Sequence, residues 1–411
     1  VRAFDAELYL RLLGERMLTD RVSDHQRGPR RPTIAEAALA LIAVNAIDAP
    51  RAEQVIDDYS FAATVRGDDA LFRRSGLAAV RPRGQGESKP LAPRRVVPCP
   101  RTIEQAQATV EVRYVSLSAD STSAGVTCHP ASIGGGPLSA TLADDRGATV
   151  DAHFSGGGSH LGMRGLMITD RPLAPDTAWI ELDGTRLELT AQASRFQATL
   201  ERLPDQDPAH RYLWHRMAEP SEFSDHGIEP AVEALVAAGA LSARDPLIDD
   251  MRTVLQAMQG RVAIPGAMPS PGPRISEPWR SLVARHGRDD GPRGTIVLGA
   301  VPPVFDGQSV AVLDVESEKS RFRVDVETAP GVVRTPSDWG MAIQPLAWWA
   351  RDDCGNHYLG QRGQWSYRDE YGHGVIDFHP ALDPQATRLE LLPTGQTTRA
   401  VISFPLAWSA S

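Results

Sequence analysis

The sequence predicts an α+β, multidomain chain with an internal duplication, in which a helical hairpin and a β module occur once and then again. Two repeats carry that reading. LSATLADDRG at 138–147 returns as LAWWARDDCG at 346–355, with Leu138, Asp144, Asp145 and Gly147 answered at a constant offset by Leu346, Asp352, Asp353 and Gly355. Ile34, Ala37, Ala38, Leu41 and Ile42, one apolar stripe of a helix, return as Ile228, Ala231, Val232, Leu235 and Val236.

Taken in order, residues 6–23 read as a helix through Leu8, Leu10, Leu12, Leu13 and Met17, and the apolar stripe from Ile34 to Ile42 as a second. Asn45 stands where a left-handed residue closes a helix, and Asp48 where a side-chain oxygen opens the next. In the second copy Gly239 replaces Asn45 and Ser242 replaces Asp48, while Asp245 before Pro246 is an equally good helix start. Each hairpin precedes a Pro-rich stretch. The first carries Pro82, Pro90, Pro93, Pro98 and Pro100, and the second holds IPGAMPSPGP with one short helix near 279–285.

The β modules show short alternating runs. In the first they fall at 110–115, 125–128, 138–142, 149–154, 165–168, 179–182 and 187–189. The second places them at 310–313, 322–326, 343–350, 358–361, 375–378, 389–391 and 401–404. Seven strands in about a hundred residues fit an immunoglobulin-like sandwich. The expected organisation is hairpin 1–75, Pro/Arg-rich linker 76–105, sandwich 106–195, hairpin 196–262, Pro/Gly-rich linker 263–307 and sandwich 308–411.

Composition narrows the function. A net charge of −9 disfavours nucleic acid as the main partner, although Arg81, Arg83, Lys89, Arg94, Arg95 and Arg101 face only Glu87 across 81–101. That block reads as a solvated linker. Lysine occurs only at 89 and 319, the coding habit of a high-GC bacterial genome. No apolar run reaches the ~18 residues that span a bilayer. Asp5, Glu7 and Glu15 interrupt the first helix and exclude a signal-peptide reading of it. Three cysteines without C-x-x-C spacing suit a reducing, cytoplasmic setting.

The chemistry-bearing residues form no familiar constellation. Asp144–Asp145 and Asp352–Asp353 could offer oxygens to calcium, but a hairpin corner with a left-handed glycine explains Asp-Asp-x-Gly without metal. Asp57–Asp58 and Asp249–Asp250 are helix neighbours and point apart. His153, His160, His357, His373 and His379, with Cys354, match no zinc spacing. Gly134–Gly136 and Gly156–Gly158 precede no helix and so read as loop tips rather than phosphate cradles. No catalytic residue, metal or cofactor is assigned, and the reading leans away from an enzyme.

One stretch separates the copies. RGQWSYRDEYGH at 362–373 is expected as a loop bearing Arg362, Trp365, Tyr367, Arg368 and Tyr371, the composition of a recognition surface. The leading expectation is therefore a non-enzymatic binding or scaffold protein with a protein partner and no membrane association. A hydrolase with a site in the second β module or at a domain interface, joining residues such as Asp353, His357 and His373, is one alternative. A nucleic-acid-associated regulator using the helical hairpins and the basic linker is the other.

Overall fold

The computed structural model describes residues 4–20, 33–65, 91–92, 94–104, 109–129, 139–159, 162–189, 196–218, 228–258, 277–329, 346–368 and 371–408. The basic stretch 81–90, the triple glycine at 134–136, His160 and the run 264–273 lie outside them. The described residues form a mixed α+β fold with seven helices and two large antiparallel sheets, divided between a helical unit and a β unit.

The helical unit contains α1 (Ala6–Asp20), α2 (Thr33–Ala43), α3 (Ala49–Val65), α4 (Pro208–Ala218), α5 (Glu229–Ala237), α6 (Pro246–Met258) and α7 (Trp279–Arg285). Its ends follow local chemistry. Asn45 has φ +56 and Gly239 φ +71. The backbone closes both α2 and α5 in one way: Ala46 N–H donates to Leu41 O at 2.9 Å, and Ala240 N–H to Leu235 O at 3.0 Å. Asp48 accepts from Arg51 N–H at 2.8 Å, and Asp245 from Leu247 N–H at 3.0 Å. Asp245, with proline next, is thus the cap of α6. Ser242 caps the preceding turn through Arg244 N–H.

The two predicted hairpins share one core. Helix α2 packs chiefly on α5, burying Ile34, Ala37, Ala38 and Leu41 with Ala231, Val232 and Leu235. Each full burial of a Leu- or Ile-sized side chain contributes roughly 1.5–3 kcal/mol. Arg216 of α4 grips the Glu36 carboxylate of α2, its Nε 2.7 Å from Oε2, and Tyr212 hydroxyl donates to Glu36 O at 3.4 Å. Among the described residues no helix is long and apolar enough to cross a membrane.

The β unit holds both sheets. The first comprises β1 (Arg95–Glu104), β2 (Thr109–Leu117), β3 (Thr122–His129), β4 (Ser139–Asp144), β5 (Thr149–Ser159), β6 (Gly162–Thr169), β7 (Trp179–Leu182) and β8 (Thr185–Glu188), in the order β1-β2-β3-β6-β5-β4-β7-β8. The second comprises β9 (Gln197–Arg202), β10 (Gly294–Ala300), β11 (Ser309–Ser317), β12 (Phe322–Ala329), β13 (Ala347–Asp352), β14 (His357–Arg368), β15 (Tyr371–His379), β16 (Arg388–Thr394) and β17 (Thr398–Pro405). Its order is β10-β11-β12-β15-β14-β13-β16-β17-β9. Among the described residues, every one of the seven alternating runs of each module coincides with a strand over most of its length. Each sheet also carries an edge strand inside a stretch read as linker, β1 within 76–105 and β10 within 263–307. Pro98 and Pro100 in β1, and Gly294 and Gly299 in β10, are tolerated because both strands lie at an edge and contain a register shift. Strand β9, read as part of the second hairpin segment, pairs with β17 instead.

The first sheet curls around its own core of Val97, Val112, Val126, Leu142, Ile180 and Leu187, among others. Arg95 ties its two edges by donating to Thr177 O at 2.7 Å and to Leu189 O. A second cluster, Leu91, Val96, Tyr114, Leu166, Ala311, Leu313 and Ala329, lies between the two sheets. Bulges create it. Val112 pairs with Val126 and Tyr114 with Gly125, leaving Arg113 extra; Val312 pairs with Val326 and Asp314 with Asp325, leaving Leu313 extra. A bulge lets adjacent residues turn to one face, which strict alternation forbids.

Candidate functional site

Residues 362–373, expected as a loop, belong mostly to a strand pair. Strands β14 and β15 run antiparallel to the tip, with Trp365 opposite Gly374, Tyr367 opposite Gly372 and Arg368 opposite Tyr371. The side chains of Arg362, Tyr367, Arg368 and Tyr371 lie outside the described residues, so only their backbone positions are placed. Trp365 is half-buried, and its ring lies where a Cβ on Gly374 would come within 1.9 Å. An aromatic ring laid over a cross-strand glycine stiffens a position that is weak by itself. The alternation of glycine with bulky residues was the signal for strand here, hidden by the polar composition.

The hairpin in the corresponding place of the first sheet uses the same pairing. Gly156 stands opposite Gly165, Gly158 opposite Met163 and Ser159 opposite Gly162. The outgoing strand of this hairpin is thus glycine and serine at 155–159 in one sheet, where 156–158 reads as a loop tip by sequence, and carries tryptophan, tyrosine and arginine in the other.

The Asp-Asp-x-Gly corners are hairpin turns. Gly147 and Gly355 have φ +78 and +87. Asp144 Oδ1 accepts from Arg146 and Ala148 N–H, at 3.0 and 2.7 Å; Asp352 Oδ1 accepts from Cys354 and Asn356 N–H, at 3.0 and 2.8 Å. The second aspartate of each pair reaches outward, Asp145 to Ala178 N–H at 2.9 Å and Asp353 to Thr387 N–H at 3.0 Å. Asp352, Cys354 and Asp383 lie close enough to offer a metal three ligand atoms. Their carboxylates already serve the fold: Asp352 Oδ2 accepts from Tyr358 hydroxyl at 2.6 Å and Asn356 Nδ2 at 2.9 Å, and Asp383 Oδ2 from the same amide at 3.1 Å.

Asp353, His357 and His373 do not converge. His357 pairs with Arg351 at the corner end of β14, whereas His373 pairs with Ser366 nine residues further along. At about 3.3 Å per residue that separates them by roughly 30 Å. His373 lies half-buried near Asp325 instead, and the loss of water around its ring pushes the imidazole down to about 4.

What sequence reasoning missed lies between the sheets. Arg113 donates to Asp314 and, at 2.7 Å, to Asp325. Arg164 Nη2 donates to both acids, at 3.3 and 3.1 Å, and its guanidinium also meets Glu316. Arg94 pairs with Glu327, and Tyr114 hydroxyl donates to Asp325 at 3.2 Å. Asp314 is 0% and Asp325 1% exposed, so these charges are almost fully withdrawn from water. Burial pushes both acids up, and the guanidiniums pull them back. For Asp325 the guanidiniums prevail and its carboxyl lies well below the usual range. For Asp314 burial, helped by Asp325, prevails and pushes it up to about 6. Glu327 is raised by burial against the pull of Arg94. The arrangement exposes no nucleophile; chemically it can hold charge and a proton.

No protein-family model matches the chain, and no curated protein matches it. A solved structure described as the crystal structure of the conserved domain protein from Bacillus anthracis aligns at 12% identity over 76% of this chain and 79% of that one. Its TM-score of 0.18 carries no argument about fold or function.

Proposed function

We propose that the chain is a non-enzymatic binding or scaffold protein that recognises a protein partner through the β14–β15 hairpin. The observation that carries this is the contrast between the two hairpins. The pairing that Gly156 and Gly165 make in the first sheet is made by Trp365 and Gly374 in the second. A hairpin whose outgoing strand forms with glycine and serine does not need Trp365 and Tyr367 there to exist. Their presence, with Arg362 and Arg368, supports a recognition role, because rigid aromatics supply contact area at low entropic cost.

The same reading takes the architecture as a duplicated unit of helical hairpin and immunoglobulin-like sandwich. The same order for eight strands of each sheet, bulges after Val112 and Val312, and α2 and α5 closed by the same pair of bonds support the duplication. Three cysteines outside any disulfide fit a cytoplasmic location.

The test is affinity capture from host lysate with wild type beside a Trp365→Ala/Tyr367→Ala variant. Circular dichroism would confirm that the variant is folded. A protein captured stoichiometrically by wild type and lost in the folded variant is expected. Equal capture by both removes the hairpin from the reading.

A further inference from the structure

We propose that the Asp314–Asp325 pair between the two sheets is a proton-binding site, holding one proton in the closed sheet pair and giving it up when the sheets part.

The geometry argues for it by charge count. Three guanidiniums, Arg94, Arg113 and Arg164, meet four carboxylates, Asp314, Glu316, Asp325 and Glu327. Arg94 is taken by Glu327, and Arg164 is divided between the fully buried acid pair and Glu316, a third acid that is only half-buried and shared with water. Asp314 and Asp325 are also direct partners across β11 and β12, and like charges facing each other across strands repel. Two buried carboxylates sharing one site cannot both ionise cheaply, so one keeps a proton. Arg164 Nη2 bridges the two acids, which fixes them in that shared site.

The groups facing the pair are Arg113 and Tyr114 from β2, Arg164 from β6, and His373 from β15. Glu316 lies on the same strand as Asp314, and Glu327 on that of Asp325, held by Arg94. Tyr114 already donates to Asp325, which helps keep that acid ionised. The proton therefore falls to Asp314, consistent with its raised affinity.

The sign follows from linkage. An acid that binds its proton more tightly in the closed state stabilises that state below its ordinary value. The gain is lost as pH rises toward about 6. His373 acts oppositely over nearly the same range, because burial disfavours its charged form. Comparing wild type with a variant that alters only Asp314 cancels the histidine's contribution.

The experiment is hydrogen exchange by mass spectrometry on the full chain, wild type and Asp314→Asn, from pH 4 to 8 with intrinsic rates corrected. The ratio of protection, wild type over variant, is read on peptides covering β2, β11 and β12. It is expected to rise toward tenfold per pH unit as pH falls between about 6 and 4, and to stay level above about 7. A ratio independent of pH overturns the proposal. Should the variant fail to fold, carbon-13 carboxyl titration of the wild type decides: one aspartate titrating near pH 6 supports the site, and none above pH 5 overturns it. The result is independent of the fate of the binding hairpin.

Discussion

Tyr114 lies directly over Gly125, its partner across β2 and β3, so closely that a Cβ at 125 would sit 2.2 Å from the ring. Only glycine lets the phenol cross the neighbouring strand to reach Asp325. Gly125→Ala is therefore expected to destabilise the β unit by about 1–3 kcal/mol, the usual cost of overpacking. Urea unfolding checks it. A Tyr114→Ala background, with the ring gone, should reduce the penalty of the alanine to a small fraction.

Arg113 compensates two buried acids at once. Arg113→Ala leaves them unmatched and should cost about 3–5 kcal/mol, whereas replacing Arg113, Asp314 and Asp325 together by apolar residues of similar volume should recover much of that loss. Guanidinium chloride midpoints of the single and triple variants distinguish a charge network from simple packing.

At the corner, Asp352 is buried and accepts four hydrogen bonds, while Asp353 is exposed and serves Thr387. Asp352→Ala should cost about 1–3 kcal/mol, since it strands the Tyr358 hydroxyl and turn N–H groups. Asp353→Ala should cost visibly less. Thermal unfolding orders the two; equal losses would contradict the assigned roles.

Thiol accessibility follows burial. Cys99 and Cys128 are buried, and burial pushes both thiols up to about 11; Cys354 is exposed. A chromogenic disulfide reagent at pH 8 should titrate one thiol per native chain and three in denaturant.

The helical unit carries an acid-sensitive cap. Burial works to raise Asp245, but the hydrogen bonds from His210 and Leu247 N–H outweigh it and hold the carboxyl below its ordinary value. Its contribution is present above the unfolded carboxyl range and lost as pH falls through the lowered value. Asp245→Asn should flatten part of the helical signal's pH dependence between about 5 and 3, followed at 222 nm.

Local chemistry was readable without a structure, because it needs only neighbours along the chain. Alternation marked fourteen of the strands, the left-handed turns were announced by Asn45, Gly239, Gly147 and Gly355, and the caps by Asp48 and Asp245. The Asp pairs were legible as turns for the same reason. Strands β1 and β10 were hidden by proline and glycine that only an edge position tolerates, and edge position is a property of the assembled sheet. The stretch 362–373 looked like a loop because its strand character rests on pairing across β14 and β15, with Gly374 opposite Trp365.

The ionic cluster was invisible in principle. Arg113 and Asp314 are 201 residues apart, and the space between the sheets is reached by Tyr114 beside Arg113, and by Asp314 beside Leu313, because a bulge turns Tyr114 and Asp314 from the face that the alternation before them predicts. Sequence by itself determined which segments become helix, strand and turn, since these depend on periodicity and backbone preference. Tertiary structure alone decided which charges meet, because desolvation and pairing exist only once the two sheets have closed on one another.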